Sequence, residues 1–258
     1  MPYIESLRID QEDSLSLENR GSSSGSFRVG VIRLPHMSNY TDFNALETVR
    51  GVTVGYLAEP SAPVDLLIIP GTKNTIHDLR WLRQSGFEHY IADHVARRTW
   101  VVGICGGYQM LGTKISDPFH VEEGGSIDGL GFLPVETELG IDKITVQSHG
   151  YSFLGAPVSG YEIHMGRTQP SQQRGWFIRK GDGTDDGLVS GCIAGTYFHG
   201  IFDNADFTRK FLARVAEDRG LYWRPEYTQS SKEDEYDRLA QIVREHIDID
   251  RIYEWIQQ

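Results

Sequence analysis

The feature that most constrains the fold is the run from Trp100 to Gly112, WVVGICGGYQMLG, where an apolar stretch stops at Gly103-Ile104-Cys105-Gly106-Gly107 and helix formers follow. This is the pattern of a nucleophile elbow: a buried parallel strand, a tight turn that strains the residue at its tip, and a helix starting just behind it. Cysteine holds the tip. Gly103 and Gly107 clear the crossing of strand and helix, and Gly106 lets a backbone N–H face the reacting atom. Helix-terminal N–H groups favour a thiolate over a thiol. A free cysteine is often just a small buried hydrophobe, but one framed as G-x-C-x-G between a strand and a helix reads as a nucleophile.

An elbow of this kind needs an open α/β sheet around it, and the flanking sequence supplies one. Phe27–Leu34 (FRVGVIRL) reads as a strand, and Phe43, Leu46 and Val49 then recur at helical spacing. Residues 51–58 alternate as a second strand. Val64–Pro70 is a continuous apolar run ending at Gly71, as expected of a strand buried on both faces. Two helical patterns follow, the second with a stripe of Phe87, Tyr90, Ile91, His94 and Val95 closed by Arg97-Arg98. His94 reads as a histidine at the edge of the core. The rhythm predicts an open, mostly parallel sheet flanked by helices, with functional loops at the carboxyl ends of the strands. Cys105 and Gly71 both lie at such ends.

Beyond Gly112 a Gly-rich acidic stretch leads into segments that alternate like added antiparallel strands: KITVQSHGYSFL, GYEIHMG and GWFIRKG. Val189–His199 reads as one further strand, with Cys192 in its core, and 205–217 as a helix. Residues 232–247 and 250–256 read as amphipathic helices closing one side of the sheet. Residues 1–26 are acidic and then Ser/Gly-rich, which predicts a linker or tail following a domain that stands before it, with one domain over 27–258.

Acidic side chains outnumber basic ones, 36 to 25, giving a net charge of −11 that disfavours nucleic acid or an anionic membrane as partner. No apolar run reaches membrane-span length, and the N-terminus carries no signal-like segment, so a cytoplasmic location is expected. The two cysteines, Cys105 and Cys192, are far apart and offer no thiolate metal site.

A cysteine nucleophile needs a base. His199 ends the apolar stretch GTYFH and can face the elbow across the end of the sheet, whereas His149 and His164 lie in the inserted strands. Together GICGGYQMLG, the upstream PGTKNT and the downstream GTYFHGIFDN resemble the triad-type glutamine amidotransferase domain of the cobyric acid synthase family, a class I, flavodoxin-like fold. The likeness extends to LRIDQEDSLSLE, GYEIHMG and the helix YDRLAQIVREH.

The resemblance implies that Cys105 attacks the carboxamide of glutamine, that His199 is the base and then the acid, and that Gly106 with the Gly71-Thr72 turn forms the oxyanion hole. It implies substrate contacts at Gln109, Glu162 and His164. It also implies an ATP-dependent synthetase half, normally N-terminal, that binds the corrinoid substrate. This chain has no G-x-x-x-x-G-K-[ST] phosphate loop, so ATP and Mg²⁺ are expected only on that half, and no cofactor or metal on this one.

Alternatives with a similar elbow are a stand-alone α/β-hydrolase or cysteine peptidase, the glutaminase subunit of an enzyme amidating a cell-wall lipid precursor, and a non-catalytic scaffold. One departure from the wider glutaminase pattern stands out. The residue two beyond the histidine is Ile201, not glutamate, and isoleucine cannot accept an imidazole N–H. This predicts a Cys105–His199 dyad, with the ring held by a backbone carbonyl or weakly by Glu162 or Asp203, and no carboxylate packed on the distal nitrogen.

Overall fold

The computed structural model describes residues 26–170, 175–227, 232–247 and 249–256. Apart from Ser26, the expected linker lies outside the described residues.

Strand β1 (Phe27–Ile32) leads through a 3₁₀ turn (Tyr40–Phe43) and the single-turn helix α1 (Asn44–Glu47) to β2 (Val49–Arg50) and β3 (Val52–Leu57). Then come β4 (Leu66–Ile69), helices α2 (Thr75–Gln84) and α3 (Phe87–Ala96), β5 (Trp100–Ile104) and the short α4 (Gly106–Leu111). β1 pairs in parallel with β3 and β4, and β4 with β5. All four side chains of β4 have 0% exposure, which makes it the double-covered centre of the sheet that its unbroken apolar run requires. On α3, Phe87, Tyr90, Ile91 and His94 are buried. His94 goes further into the core than expected: its Nδ1 bonds the Tyr90 carbonyl at 2.7 Å and its Nε2 accepts from Val64 N–H at 3.3 Å.

After the elbow the chain builds a second sheet. β6 (Lys114–Asp117) and β7 (Gly125–Asp128) precede two long strands, β8 (Val135–Ser152) and β9 (Pro157–Pro170), paired antiparallel with a register shift between Leu139 and Ile144. β10 (Ile178–Lys180) and β11 (Asp185–Asp186) extend it. β8 begins inside the region read from sequence as Gly-rich and acidic, because Val135, Thr137 and Leu139 alternate inward there.

The single strand expected over 189–199 is three. β12 (Leu188–Ser190) turns back through Gly191, at φ +61°, into β13 (Ile193–Thr196), which joins β5 in parallel; β14 (Phe198–His199) then leaves that sheet and pairs with β9. Gly191 takes a left-handed conformation that few other residues tolerate, which is why an otherwise apolar stretch folds back. Cys192 therefore sits in a hairpin turn, half-buried, and not in a strand core.

The main sheet has the order β12-β13-β5-β4-β1-β3, parallel except at the β12 edge. Helix α5 (Ala205–Asp218) buries Phe207, Phe211, Leu212 and Val215, and Phe211 meets Trp100 of β5 edge to face at 5.2 Å. β15 (Glu226–Tyr227) pairs with β2. Helices α6 (Lys232–His246) and α7 (Ile249–Ile256) form where expected, but Tyr236 and Trp255 are 48% and 63% exposed. The sheet cover predicted for them comes from α5 instead. No described helix is long and apolar enough to cross a membrane.

Candidate active site

β5 delivers Cys105 to the end of the sheet, and the elbow is as sharp as its sequence requires. Cys105 stands at φ 50°, ψ −109°, a conformation that L-residues rarely adopt, and helix α4 starts at the next residue. The tight crossing explains the glycines. A Cβ on Gly107 would lie 2.0 Å from the Ile69 carbonyl oxygen, so any side chain there would drive α4 off β4.

His199 arrives by a different route. Thr196, the last residue of β13, accepts the Cys105 N–H at 2.8 Å, and three residues later the chain has crossed to the second sheet, where His199 pairs with Tyr161. His199 thus lies in the seam between the two sheets. Its ring lies near enough to the cysteine side chain to interact with it electrostatically, and it stacks on Tyr161 with centroids 5.2 Å apart. The Cys105 thiol also reaches the Ile163 carbonyl at 3.5 Å.

The dyad expectation is corrected here. His199 Nδ1 donates to Asp42 Oδ2 at 2.7 Å, and Asp42 Oδ1 accepts the Gly200 N–H at 2.9 Å. Both side chains are essentially buried, at 2% and 3% exposure. Neither Glu162 nor the exposed Asp203 takes that place. Cysteine, histidine and aspartate therefore form a triad whose third member comes from the loop after β1, 157 positions upstream of the histidine. Burial alone would disfavour a charged imidazole, but the Asp42 carboxylate and the Cys105 sulfur outweigh it and push the His199 pKa up to about 10. The arrangement favours an imidazolium beside the cysteine.

Gly106 and the Gly71-Thr72 turn, where the oxyanion donors are expected, come close together beside Cys105. A Cβ on Gly106 would lie 3.2 Å from the Thr72 nitrogen, and one on Gly71 would lie 3.6 Å from Cys105 Cβ and 3.3 Å from His199 Cε1. The Gly71 carbonyl is turned away, accepting Ser38 N–H at 2.9 Å. Thr72 is fixed by its hydroxyl, which donates to Asp78 Oδ2 at 2.5 Å.

A cavity of about 420 Å³ opens over Cys105, within the size range of small-molecule sites. Gln109 lines it, with its amide held in place at both ends: Oε1 accepts from Thr75 at 3.0 Å and Nε2 donates to the Tyr197 hydroxyl at 3.1 Å. His164 lines it too, stacked on Tyr197 and donating from Nδ1 to the Gly166 carbonyl at 2.7 Å. Glu162 stands behind the wall, not in it. It accepts from Ser148 at 2.6 Å and Lys180 at 3.3 Å, and lies 3.6 Å from His164 Nε2. Burial opposes its charge, yet His164, Ser148 and Lys180 hold the Glu162 carboxyl down at about 2. Its place is that of a support for His164.

Sequence reasoning missed the charged rim of Lys73, Glu122 and Lys143 as well as Asp42. Glu122 is carried on a loop folded around Asp117, which accepts from the N–H groups of Val121, Glu122 and Gly124 at 2.7–2.8 Å. Asp42 left one signal: it follows a strand's carboxyl end, in the polar run SNYTD, where functional loops gather in such sheets.

Residues 28–207 match the family of CobB/CobQ-like glutamine amidotransferase domains. The chain belongs to that family. It is 42% identical to cobyric acid synthase of Dehalococcoides mccartyi and 39% identical to that of Photorhabdus laumondii, in each case over 98% of this chain and 54% of the relative. This glutamine amidotransferase domain thus spans about half the length of those relatives. Its fold is also that of a chain in the structure of PurLQS from Thermotoga maritima and of a chain described as a glutamine amidotransferase. Each matches at a TM-score of 0.55 and 17% identity, covering 73% and 75% of this chain and 99% of the other.

Proposed function

We propose that this domain is the glutaminase half of a cobyric acid synthase, releasing ammonia from glutamine for ATP-dependent amidation of corrinoid carboxylates such as those of adenosylcobyrinic acid a,c-diamide. The observation that carries the reading is the strained Cys105 beside a His199 that is itself held by Asp42.

In this mechanism the Cys105 thiolate adds to the carboxamide carbon of glutamine. The oxyanion is received by the N–H groups of Gly106 and Thr72, donors of a kind worth about 2.7–4 kcal/mol each. His199 gives its Nε2 proton to the departing nitrogen, so ammonia leaves and a glutamyl thioester remains. His199 then takes a proton from water, hydroxide adds to the thioester carbon, and the collapsing intermediate expels the thiolate with glutamate. Asp42 keeps Nδ1 protonated throughout and stabilises the imidazolium. Glu122 at the rim suits the substrate's α-ammonium group, and Lys73 and Lys143 suit its α-carboxylate.

Support for the corrinoid context comes from the cobyric acid synthase relatives, of which this chain matches about half. The synthetase half, with its ATP and Mg²⁺, is the proposed partner. Labelling with 6-diazo-5-oxonorleucine followed by peptide mass spectrometry tests the reading. A single adduct on Cys105, lost in His199→Ala, is expected; no adduct on Cys105 would leave only a scaffold.

A further inference from the structure

Beside the catalytic pocket, three side chains that the glutaminase chemistry does not use converge where the loop after β1 meets the first turn of α2. His36, His77 and Asp78 each turn one ligand-type atom inward, and these atoms lie within 4.8 Å of one another. Asp78 is fully buried, whereas the imidazoles are roughly half exposed. Its inner oxygen, Oδ2, is occupied by the Thr72 hydroxyl at 2.5 Å and the His36 backbone N–H at 3.1 Å. Its outer oxygen, Oδ1, faces both rings: His36 Nδ1 at 2.8 Å and His77 Nδ1 at 3.4 Å. The rings stand edge to face, centroids 4.8 Å apart, and both Nδ1 atoms approach the same oxygen.

We propose that His36 Nδ1, His77 Nδ1 and Asp78 Oδ1 form a binding site for a borderline divalent metal ion of the Zn²⁺, Co²⁺ and Ni²⁺ type. Two imidazoles can share one carboxylate oxygen only if each brings a proton, and a metal ion replaces both protons with one charge that all three atoms can ligate. The spacing fits. A tetrahedral ion with bonds of about 2.0–2.1 Å sets its ligand atoms roughly 3.3 Å apart, close to the 2.8 and 3.4 Å of the two nitrogen–oxygen pairs, and all three atoms lie within 4.8 Å. Asp78 Oδ2 already has the outer partners that orient a ligating carboxylate. Two nitrogens and one oxygen are too few and too soft for Ca²⁺ or Mg²⁺. The half-exposed rings leave the fourth position to water, the pattern of an open site.

Position gives the site its consequence. The loop bearing His36 also carries Asp42, and Asp78 holds Thr72. The two segments are laced together by Ser38 N–H to the Gly71 carbonyl at 2.9 Å and Lys73 N–H to the His36 carbonyl at 3.0 Å. A bound ion pins the triad aspartate's loop to the oxyanion turn.

Binding is measured calorimetrically with ZnCl₂ on the untagged Cys105→Ala chain, which removes the thiolate as a competing ligand, and by visible absorption of Co²⁺. One equivalent is expected to bind, with a d–d band free of thiolate charge transfer and a raised thermal midpoint. Adding His77→Ala or His36→Ala weakens binding at least roughly tenfold, the lower bound set by loss of even an outer-shell partner. His77, half exposed on a helix, can be lost without unfolding, as circular dichroism will verify. No saturable binding, or binding unchanged in both variants, overturns the proposal.

Discussion

Asp42→Asn is the sharpest test of the triad, because the two oxygens of Asp42 do different work. Oδ2 accepts the His199 Nδ1–H at 2.7 Å and Oδ1 accepts the Gly200 N–H at 2.9 Å. Asparagine has one acceptor and must present NH₂ to one of two donors. If its oxygen stays on Gly200, the NH₂ faces Nδ1, which must then lose its proton; the proton moves to Nε2, and the ring can no longer accept from Cys105. If it turns to His199, a buried N–H is left unpaired. Either way the imidazolium loses a hydrogen bond to a charge, worth about 1.5–3 kcal/mol. Taken as about 2–3 kcal/mol of barrier, that is roughly a 30- to 150-fold fall in kcat/KM for glutamine. The same loss lowers the His199 pKa from its raised value, so the alkaline limb of the rate profile moves to lower pH. Ammonia release, followed alongside alkylation of Cys105 by chloroacetamide from pH 5 to 10, reads both effects. Turnover within twofold of the parent, with an unmoved alkaline limb, would refute the role of Asp42.

Further expectations concern the elbow, the cysteines and pH. Cys105→Ala abolishes ammonia release while Cys192→Ala, in its hairpin turn, leaves it nearly intact; equal losses would undo the assignment of the nucleophile. Gly107→Ala, whose Cβ would meet the Ile69 oxygen at 2.0 Å, destabilises the chain by about 3 kcal/mol in urea titration, and an unchanged midpoint contradicts the tight crossing. The Glu162 pKa is lowered, so its stabilising contribution is full above the ordinary value of 4.5 and is lost as pH falls toward about 2. Glu162→Gln should therefore flatten the acid limb of stability, and a parallel limb counts against it. His199 has the opposite sign: its raised pKa stabilises fully below about 6.5 and less as pH rises through about 10, a loss that His199→Ala removes. Under the proposed division of labour the chain alone is expected neither to hydrolyse ATP nor to amidate a corrinoid, and ATP-dependent amidation by the purified chain would refute it.

Much of this was legible because it is local. The elbow is written in contiguous residues, since a strained turn between a strand and a helix can be built only from particular neighbours. The buried centre of the sheet shows in Leu66–Ile69 for the same reason: a strand covered on both faces has no polar position to spare. Even His199 could be picked out, from its place at the end of an apolar stretch.

What the sequence could not decide depends on distance along the chain. Ile201 ruled out the usual acid after the histidine but said nothing about its replacement, because Asp42 reaches His199 only once β1, β4 and β5 are paired and β14 has crossed to the second sheet. The break of 189–199 into three strands was hidden likewise, since Gly191 permits a reversal without requiring one. Local sequence determined the strained cysteine elbow and the layered sheet around it. Which carboxylate orients the histidine, which charges rim the pocket and which of Gln109, Glu162 and His164 line it were decided by tertiary pairing, because each rests on atoms that only the folded sheets bring within hydrogen-bonding reach.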